Sequence, residues 1–145
     1  MSITVQLEQQ EDFHFAIRFG DSIPLLHADE APPLGKGAGP TPDQLLAAAV
    51  GNCLSDSLLF ALRKFKQAPE PIRTTVESTV SRNAENRLRV QRIAVRITLG
   101  VAGSSLQHLD RALAQFESFC TVAESVRQAI PVDVQVYDST GARLK

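Results

Sequence analysis

The stretch GPTPDQLLAAAVGNC, residues 39–53, decides the fold. It carries a strong helix start, because Thr41 can cap the first turn, Pro42 suits the first helical position and Gln44 completes a capping box. The apolar sequence that follows predicts one long helix from Thr41 to about Lys66. This helix is the element around which the rest of the chain must be arranged.

The middle of the predicted helix reads LLAAAVGNCLSDSLLFAL, residues 45–62. Its apolar residues cover nearly every face, whereas a helix on the surface of a protein has one apolar stripe. We therefore expect it to be buried in the core or in a subunit interface.

The segments before the helix predict strands and a loop. Apolar and polar residues alternate from Ile3 to Leu7 and again from Phe13 to Phe19, as in half-buried strands. The segment DEAPPLGKGAGP, from Asp29 to Pro40, is rich in Gly and Pro and predicts a loop.

The segments after the helix predict a hairpin, two helices and a last strand. The hairpin joins Val76–Val80 to Leu88–Leu99, and a slip in the apolar phase predicts a β-bulge near Gln91–Arg92. Capping boxes at Ser104 and Thr121 predict the helices, and the last strand is the alternating segment that starts at Val132. This order favours an α+β fold with largely antiparallel pairing, in a single domain over residues 1–145.

Composition limits the partners and the compartment. The formal net charge is −1, with 15 basic and 16 acidic side chains well mixed along the chain, so we expect neither nucleic acid nor an anionic membrane as a partner. The N-terminal residues lack the pattern of a signal peptide, and the longest apolar tract, Leu45–Val50, is short for a membrane span. We expect a cytoplasmic protein.

Two features of the sequence do not indicate a metal site or a phosphate-binding site. The histidines, His14, His27 and His108, lack metal-ligand spacing and are expected to be surface or hydrogen-bonded side chains. The segment GKGAG, residues 35–39, lacks the Lys-Ser/Thr of a phosphate-binding loop and does not directly follow a strand.

The two cysteines are the remaining candidates for reactive residues. On composition alone, Cys53 within an apolar helix is most simply a small buried hydrophobic residue. Cys120 directly precedes Thr121, which we expect to cap a helix, and the positive end of a helix lowers a thiol pKa. These arguments favour Cys120 as the more reactive thiol.

Two stretches resemble the signatures of one family. Residues 39–53 resemble the central-helix signature of the OsmC and organic hydroperoxide resistance family, and FCTVAESVRQAIPVDVQV, residues 119–136, resembles its second-cysteine segment and last strand. The two motifs occur in the family's order, and each carries its cysteine at the matching place. The resemblance extends over about residues 10–136.

The resemblance implies an OsmC-like fold, in which antiparallel sheets wrap around long central helices in an intertwined homodimer. It also implies a thiol-dependent peroxidase without a cofactor or metal. Cys53 would attack the peroxide and become a sulfenic acid, and Cys120 would resolve it to a disulfide, which reverses the ranking above. An external dithiol of the lipoyl or thioredoxin type would reduce the disulfide.

The family stabilises its thiolate with an arginine from the N-terminal strands, and Arg18 is the candidate here. The alternative for Arg18 is a solvent-facing strand arginine. The family's arginine is held by a glutamate ten residues before the nucleophile, a position that Asp43 occupies with a shorter side chain. Ten helical residues span about 15 Å, so Asp43 would act through Arg18 or on the partner subunit's Cys53. The change also leaves room for a family branch with weak peroxidase activity.

Apolar residues of the central helix are expected near the site and favour a substrate with an alkyl tail: Leu45, Leu46, Leu54, Leu58 and Phe60. The main prediction is therefore a peroxidase for organic hydroperoxides, with hydrogen peroxide reduced more slowly. The alternatives are a non-enzymatic dimer that binds a small molecule in the same fold, and a redox sensor that signals through a partner.

Overall fold

The computed structural model describes all residues, Met1–Lys145. The chain forms two compact units, Met1–Leu46 and Ala47–Lys145, and each is described by itself. The single domain over residues 1–145 stays a prediction.

The N-terminal unit contains a three-stranded antiparallel sheet. Its strands are β1 (Gln6–Glu11), β2 (His14–Arg18) and β3 (Leu26–Ala28), in the order β1-β2-β3. The first two strands confirm that the chain is extended in these segments. However, β1 begins after Ile3 and is exposed along its whole length, so the half-buried alternation expected there is wrong. The third strand has three residues and was not predicted, because so short a segment shows no periodicity.

The predicted loop between Asp29 and Pro40 is confirmed, and Asp29 holds it together. The buried carboxylate accepts hydrogen bonds from the amides of Glu30, Lys36 and Ala38 at 2.8–3.0 Å. These bonds, that from Ala38 foremost, lower the pKa of Asp29. Amides of the glycine-rich segment thus bind a carboxylate of the chain itself.

The long helix α1 (Pro42–Lys64) begins where the sequence predicts. The capping box forms in both directions: the Thr41 amide donates to Gln44 Oε1 at 2.9 Å, and the Gln44 amide donates to Thr41 Oγ1 at 3.3 Å. The helix ends two residues before Lys66, which adopts a left-handed conformation with φ 59° that stops a helix.

The surface of α1 is more apolar than the tract Leu45–Val50 suggests. An 18-residue window of α1 has a mean hydropathy of 1.7, so by length and composition alone this helix could cross a membrane. Core helices of soluble proteins pass the same test. Only 28% of that window is buried within the chain, which leaves apolar surface that a helix in water normally covers.

The second unit contains another three-stranded sheet, made of β4 (Arg73–Arg82), β5 (Leu88–Thr98) and β6 (Val132–Tyr137) in that order. The hairpin β4–β5 is antiparallel as predicted, but β6 pairs with β5 in parallel. The expectation of antiparallel sheets is therefore wrong for this strand. Parallel neighbours need a long crossover connection, which the helices between β5 and β6 provide.

The predicted β-bulge is confirmed in β5. Thr79 pairs with Arg92 and Val80 pairs with Val90, so Gln91 is the extra residue without a partner in β4. The bulge explains the slip in the apolar phase, because one extra residue moves the following side chains to the other face.

The crossover contains two short helices, α2 (Leu109–Gln115) and α3 (Thr121–Arg127), with 3₁₀ turns at Gly103–Ser105 and Phe116–Phe119. Both predicted caps are wrong. The N-cap of α2 is His108, not Ser104, and the N-cap of α3 is Cys120, not Thr121. The second difference puts a cysteine at the helix boundary itself.

The core of the second unit lies between one side of α1 and the inner face of the sheet. The buried apolar residues share these two surfaces: Val50, Leu54, Leu58, Leu62, Ile93, Val95, Ile97 and Val136. Gly51 lets α1 approach β4, since a Cβ at this position would lie 2.5 Å from Cγ2 of Val76. Cys53, two residues further along α1, is half-buried beside this core.

Candidate functional site

The two cysteines come together although their positions in the sequence are 67 apart. Cys53 lies in the middle of α1, and Cys120 is the N-cap of α3. Both are free thiols, and the Cys53 side chain lies within hydrogen-bonding reach of the Cys120 sulfur. The predicted pair is thus adjacent in the structure.

The environments of the two thiols differ. Cys120 is 0% exposed, whereas Cys53 is half-buried and retains contact with solvent. A molecule that approaches from solvent therefore meets the sulfur of Cys53 first.

The expectation that its cap position makes Cys120 the more reactive thiol is wrong. Burial, followed by the neighbouring Cys53 side chain, raises the pKa of Cys120 to about 11. The amide of Ala123 lowers this pKa, as a helix N-terminus should, but the thiol makes no capping hydrogen bond and burial outweighs the effect. Cys120 is therefore a protonated thiol at neutral pH.

One residue at this site was missed from the sequence. The hydroxyl of Ser57 reaches the Cys120 sulfur and acts to lower its pKa. Ser57 follows Cys53 by four residues, so the two side chains lie on the same face of α1 one turn apart. That spacing is the signal by which the sequence could have indicated it.

Arg18 and Asp43 belong to the N-terminal unit. Arg18 is exposed at the end of β2, next to the buried Ile17, so its side chain points away from that residue as expected. Asp43 is exposed in the first turn of α1. Neither forms one of the ion pairs of the chain, and the structure does not pair them with each other. Their contact with the cysteines stays a prediction.

The apolar residues predicted around the site divide into two groups. Leu54 and Leu58 are fully buried in the core and expose no surface to a substrate. Leu45 and Leu46 are half-buried in the N-terminal unit. Phe60 is 64% exposed, so its ring is accessible to a substrate.

A cavity of about 300 Å³ in the second unit contains Phe60 in its wall. Phe119, which is 68% exposed and immediately precedes Cys120, forms part of the same wall. Lys64 and Arg111 also line it, and neither takes part in an ion pair. The cavity thus combines exposed aromatic rings with two free positive charges.

Two of the histidines form a pair that the sequence did not predict. His14 Nε2 lies 2.9 Å from His27 Nδ1, because β2 and β3 are neighbours in the sheet. His108 packs against the ring of Phe65. No group of three or more His, Cys, Asp or Glu side chains is arranged to hold a metal ion. The chemistry that the site offers is therefore that of two adjacent thiols, which can be oxidised to a disulfide.

Comparison with known proteins agrees with this arrangement. The family model described as "OsmC-like protein" matches residues 35–135, more than two thirds of the chain and both cysteines. No curated protein matches the chain.

Solved structures share the fold. An OsmC-like protein of unknown function from Vibrio cholerae is similar with a TM-score of 0.78 and 17% identity, over 94% of this chain and 99% of that one. An organic hydroperoxide resistance protein from Legionella pneumophila is similar with a TM-score of 0.64 and 20% identity, over 96% and 97%. Another from Elizabethkingia anophelis has a TM-score of 0.71 and 14% identity, over 96% and 97%. With its α+β architecture, its cysteine pair and the family model, the chain belongs to the OsmC-like protein family.

Proposed function

We propose that the protein is a thiol-dependent peroxidase with a role in peroxide-related redox chemistry. The observation that carries the proposal is the adjacency of two free thiols, one accessible to solvent and one buried. A protein that kept its cysteines only as packing residues would have no need to place them within reach of each other.

The exposure of the two thiols suggests which one attacks. The Cys53 sulfur is the one that a peroxide can reach, and Cys120 remains protonated behind it. We therefore assign Cys53 as the nucleophile and Cys120 as the resolving thiol.

The reaction then has three balanced steps. The Cys53 thiolate attacks the terminal peroxide oxygen, the O–O bond breaks, and the departing alkoxide takes a proton and leaves as an alcohol. Cys120 attacks the Cys53 sulfenic acid, forming the disulfide and releasing water. An external dithiol reduces the disulfide, returning both thiols and leaving as its own disulfide.

The aromatic cavity supports a preference for organic hydroperoxides. Phe60 follows Cys53 by seven residues, two turns along the same face of α1, and Phe119 precedes Cys120. An alkyl or aryl tail bound against these rings leaves water, which favours an organic substrate over hydrogen peroxide. The unpaired charges of Lys64 and Arg111 also favour an acidic group on the tail.

We further propose that Arg18 stabilises the Cys53 thiolate, and that Asp43 acts through Arg18 or on the partner subunit's Cys53. A thiolate in an apolar setting needs a nearby cation. Cys53 lies well inside α1, where the dipole at the helix start has faded, so the cation must come from another element.

A turnover assay tests the proposed activity. We expect the protein to consume cumene hydroperoxide in the presence of dihydrolipoamide or reduced thioredoxin, with kcat/KM about tenfold higher than for hydrogen peroxide. Comparing the two reductants also identifies the class of dithiol that the protein uses. Phe119→Ala should raise KM for cumene hydroperoxide and leave that for hydrogen peroxide unchanged, while Leu88→Ala, an exposed residue outside the cavity, serves as the control.

The alternatives give different results in this assay. A redox sensor would be oxidised once and would show no turnover with either dithiol. A non-enzymatic binding protein would bind the organic compound without any change in its thiols.

We also propose that the protein is a homodimer in which α1 is covered by the second copy. The support is the apolar window of α1, of which only 28% is buried within one chain. Obligate dimers bury large apolar interfaces, and we expect well over about 2,000 Å² in total here. A cytoplasmic location, where dithiol reductants are plentiful, fits the same function.

Sedimentation measures the assembly directly. We expect the mass of a dimer at micromolar concentration, with no dissociation on dilution in the working range. A stable monomer at that concentration would refute the dimer and leave the thiol chemistry to be judged by the turnover assay.

A further inference from the structure

The 3₁₀ turn at Phe116–Phe119, which directly precedes Cys120, contains a carboxylate that binds two cations. Glu117 Oε2 lies 2.6 Å from Nη2 of Arg127, and Glu117 Oε1 lies 2.5 Å from Nζ of Lys145. The Glu117 side chain is only 20% exposed, so solvent screens these ion pairs less than pairs on the open surface. The carboxylate therefore holds the turn to α3 and to the segment that follows β6.

Both cations are themselves fixed by further contacts. Arg127 also pairs with Glu124 and donates to the Val132 carbonyl, at the start of β6, at 3.2 Å. Lys145 donates to a backbone carbonyl of α2 at 3.0 Å. An isolated exposed ion pair contributes little to stability, whereas several charges in a network can hold a defined geometry. We call the four charged side chains the Glu117 network: Glu117, Glu124, Arg127 and Lys145.

The backbone of Cys120 is attached to this network on both sides. The Cys120 amide donates to the Glu117 carbonyl at 2.9 Å, and the Cys120 carbonyl accepts from the Glu124 amide at 3.0 Å. The carboxylates of these same two glutamates both bind Arg127. The Cys120 thiol makes no capping hydrogen bond to α3, so the position of its sulfur depends on this backbone.

We propose that Glu117, Arg127 and Lys145 are positioning residues of the resolving step, which hold Cys120 beside Cys53 while the disulfide forms. This inference rests on the proposed peroxidase function and deepens it. In the resolving step the Cys120 sulfur bonds to the sulfur of the Cys53 sulfenic acid, the S–O bond breaks, and the hydroxyl leaves with the Cys120 proton as water. Fixing two reacting groups in place raises the rate and the equilibrium of their reaction, because less freedom is lost when the bond forms.

The test measures the effective concentration of the two thiols in the full-length protein, by equilibrium with reduced and oxidised glutathione. Glu117→Gln removes the charge and keeps the size, and it should lower the effective concentration about tenfold, which raises the disulfide potential by about 30 mV. In stopped-flow experiments with one equivalent of peroxide, the first oxidation of Cys53 should be unchanged, and the conversion of its sulfenic acid to the disulfide should slow about tenfold. Lys145→Met should act in the same direction, whereas Lys145→Arg keeps the charge and should retain most of the wild-type value.

Asp133→Asn is the matched control, because it breaks another ion pair of the same unit, the exposed pair with Arg92 at 2.5 Å. This variant should leave the effective concentration and the resolving rate unchanged. Urea unfolding of the reduced proteins shows whether each variant folds, and Lys145→Met takes the place of Glu117→Gln if the latter does not.

Two results would overturn the inference. One is an effective concentration in the network variants equal to that of the wild type, and the other is an equal loss in Asp133→Asn, which would indicate a general effect on stability. The glutathione equilibrium needs no peroxide, so it separates this inference from the proposed function. If oxidised glutathione forms the disulfide and peroxide does not, the peroxidase proposal fails, and the equilibrium alone supports or refutes the positioning of Cys120. If neither forms the disulfide, both fail together.

Discussion

Cys53→Ser should lose peroxide turnover, with kcat/KM lower by at least about a thousandfold, because a serine hydroxyl stays protonated at neutral pH and cannot attack the peroxide oxygen. The replacement is nearly the same size, and Cys53 is only half-buried, so the fold should tolerate it. The measurement is peroxide consumption by both proteins with the same dithiol.

Cys120→Ser is the informative partner of this variant. Cys53 should still react once with peroxide, but its sulfenic acid should persist, because the resolving thiol is gone. A burst of about one equivalent followed by slow turnover is therefore expected, and a sulfenic acid probe should label Cys53. If Cys53→Ser keeps its turnover, or if only Cys120→Ser abolishes the first oxidation, the assignment of the two thiols is wrong.

The capping box of α1 and the β-bulge of β5 could be predicted, because each depends on a few neighbouring residues. The capping box of Thr41 and Gln44 forms as the sequence indicates. The bulge at Gln91 follows from the side-chain period of a strand, which a single extra residue shifts by one. Both features depend on the backbone geometry of a few consecutive residues.

The direction of β6 could not be predicted in this way. Its alternating valines, Val132, Val134 and Val136, look the same in a parallel and an antiparallel pair. What decides the direction is where α2 and α3 return the chain, which depends on tertiary packing. The predicted caps failed for a similar reason. Ser104 and Thr121 are good capping residues by type, but Ser104 lies in the 3₁₀ turn before α2 and Thr121 is the first residue within α3.

The site was predicted in part. The two cysteines were found through their motifs, but the electrostatic ranking of Cys120 failed, because the sequence indicates a helix start and not the degree of burial. Burial raises the pKa of this thiol more than the α3 terminus lowers it. The pair of His14 and His27 could not be predicted from the sequence, because the strand that carries His27 has three residues and shows no periodicity.

Arg18→Ala should slow the reaction of Cys53 with peroxide by about tenfold or more, a loss of roughly 1.4 kcal/mol of transition-state stabilisation. Arginine stays charged at any working pH, and its planar group can face a sulfur and a carboxylate together. The alkylation rate of Cys53, measured in both proteins at neutral pH, should fall together with the rate of the peroxide reaction.

Arg73→Ala is the matched control, since Arg73 is also an exposed strand arginine. If both variants alkylate and react with peroxide like the wild type, Arg18 is an ordinary surface residue and another cation must serve Cys53. If the rate falls as expected, mixed dimers show which chain supplies the arginine. A dimer of one Arg18→Ala chain and one Cys53→Ser chain contains an intact site only if Arg18 acts on the partner subunit's Cys53. About half of the wild-type rate in that dimer indicates action across the interface. About half of the Arg18→Ala rate indicates action within one chain, because one of the two sites lacks Cys53.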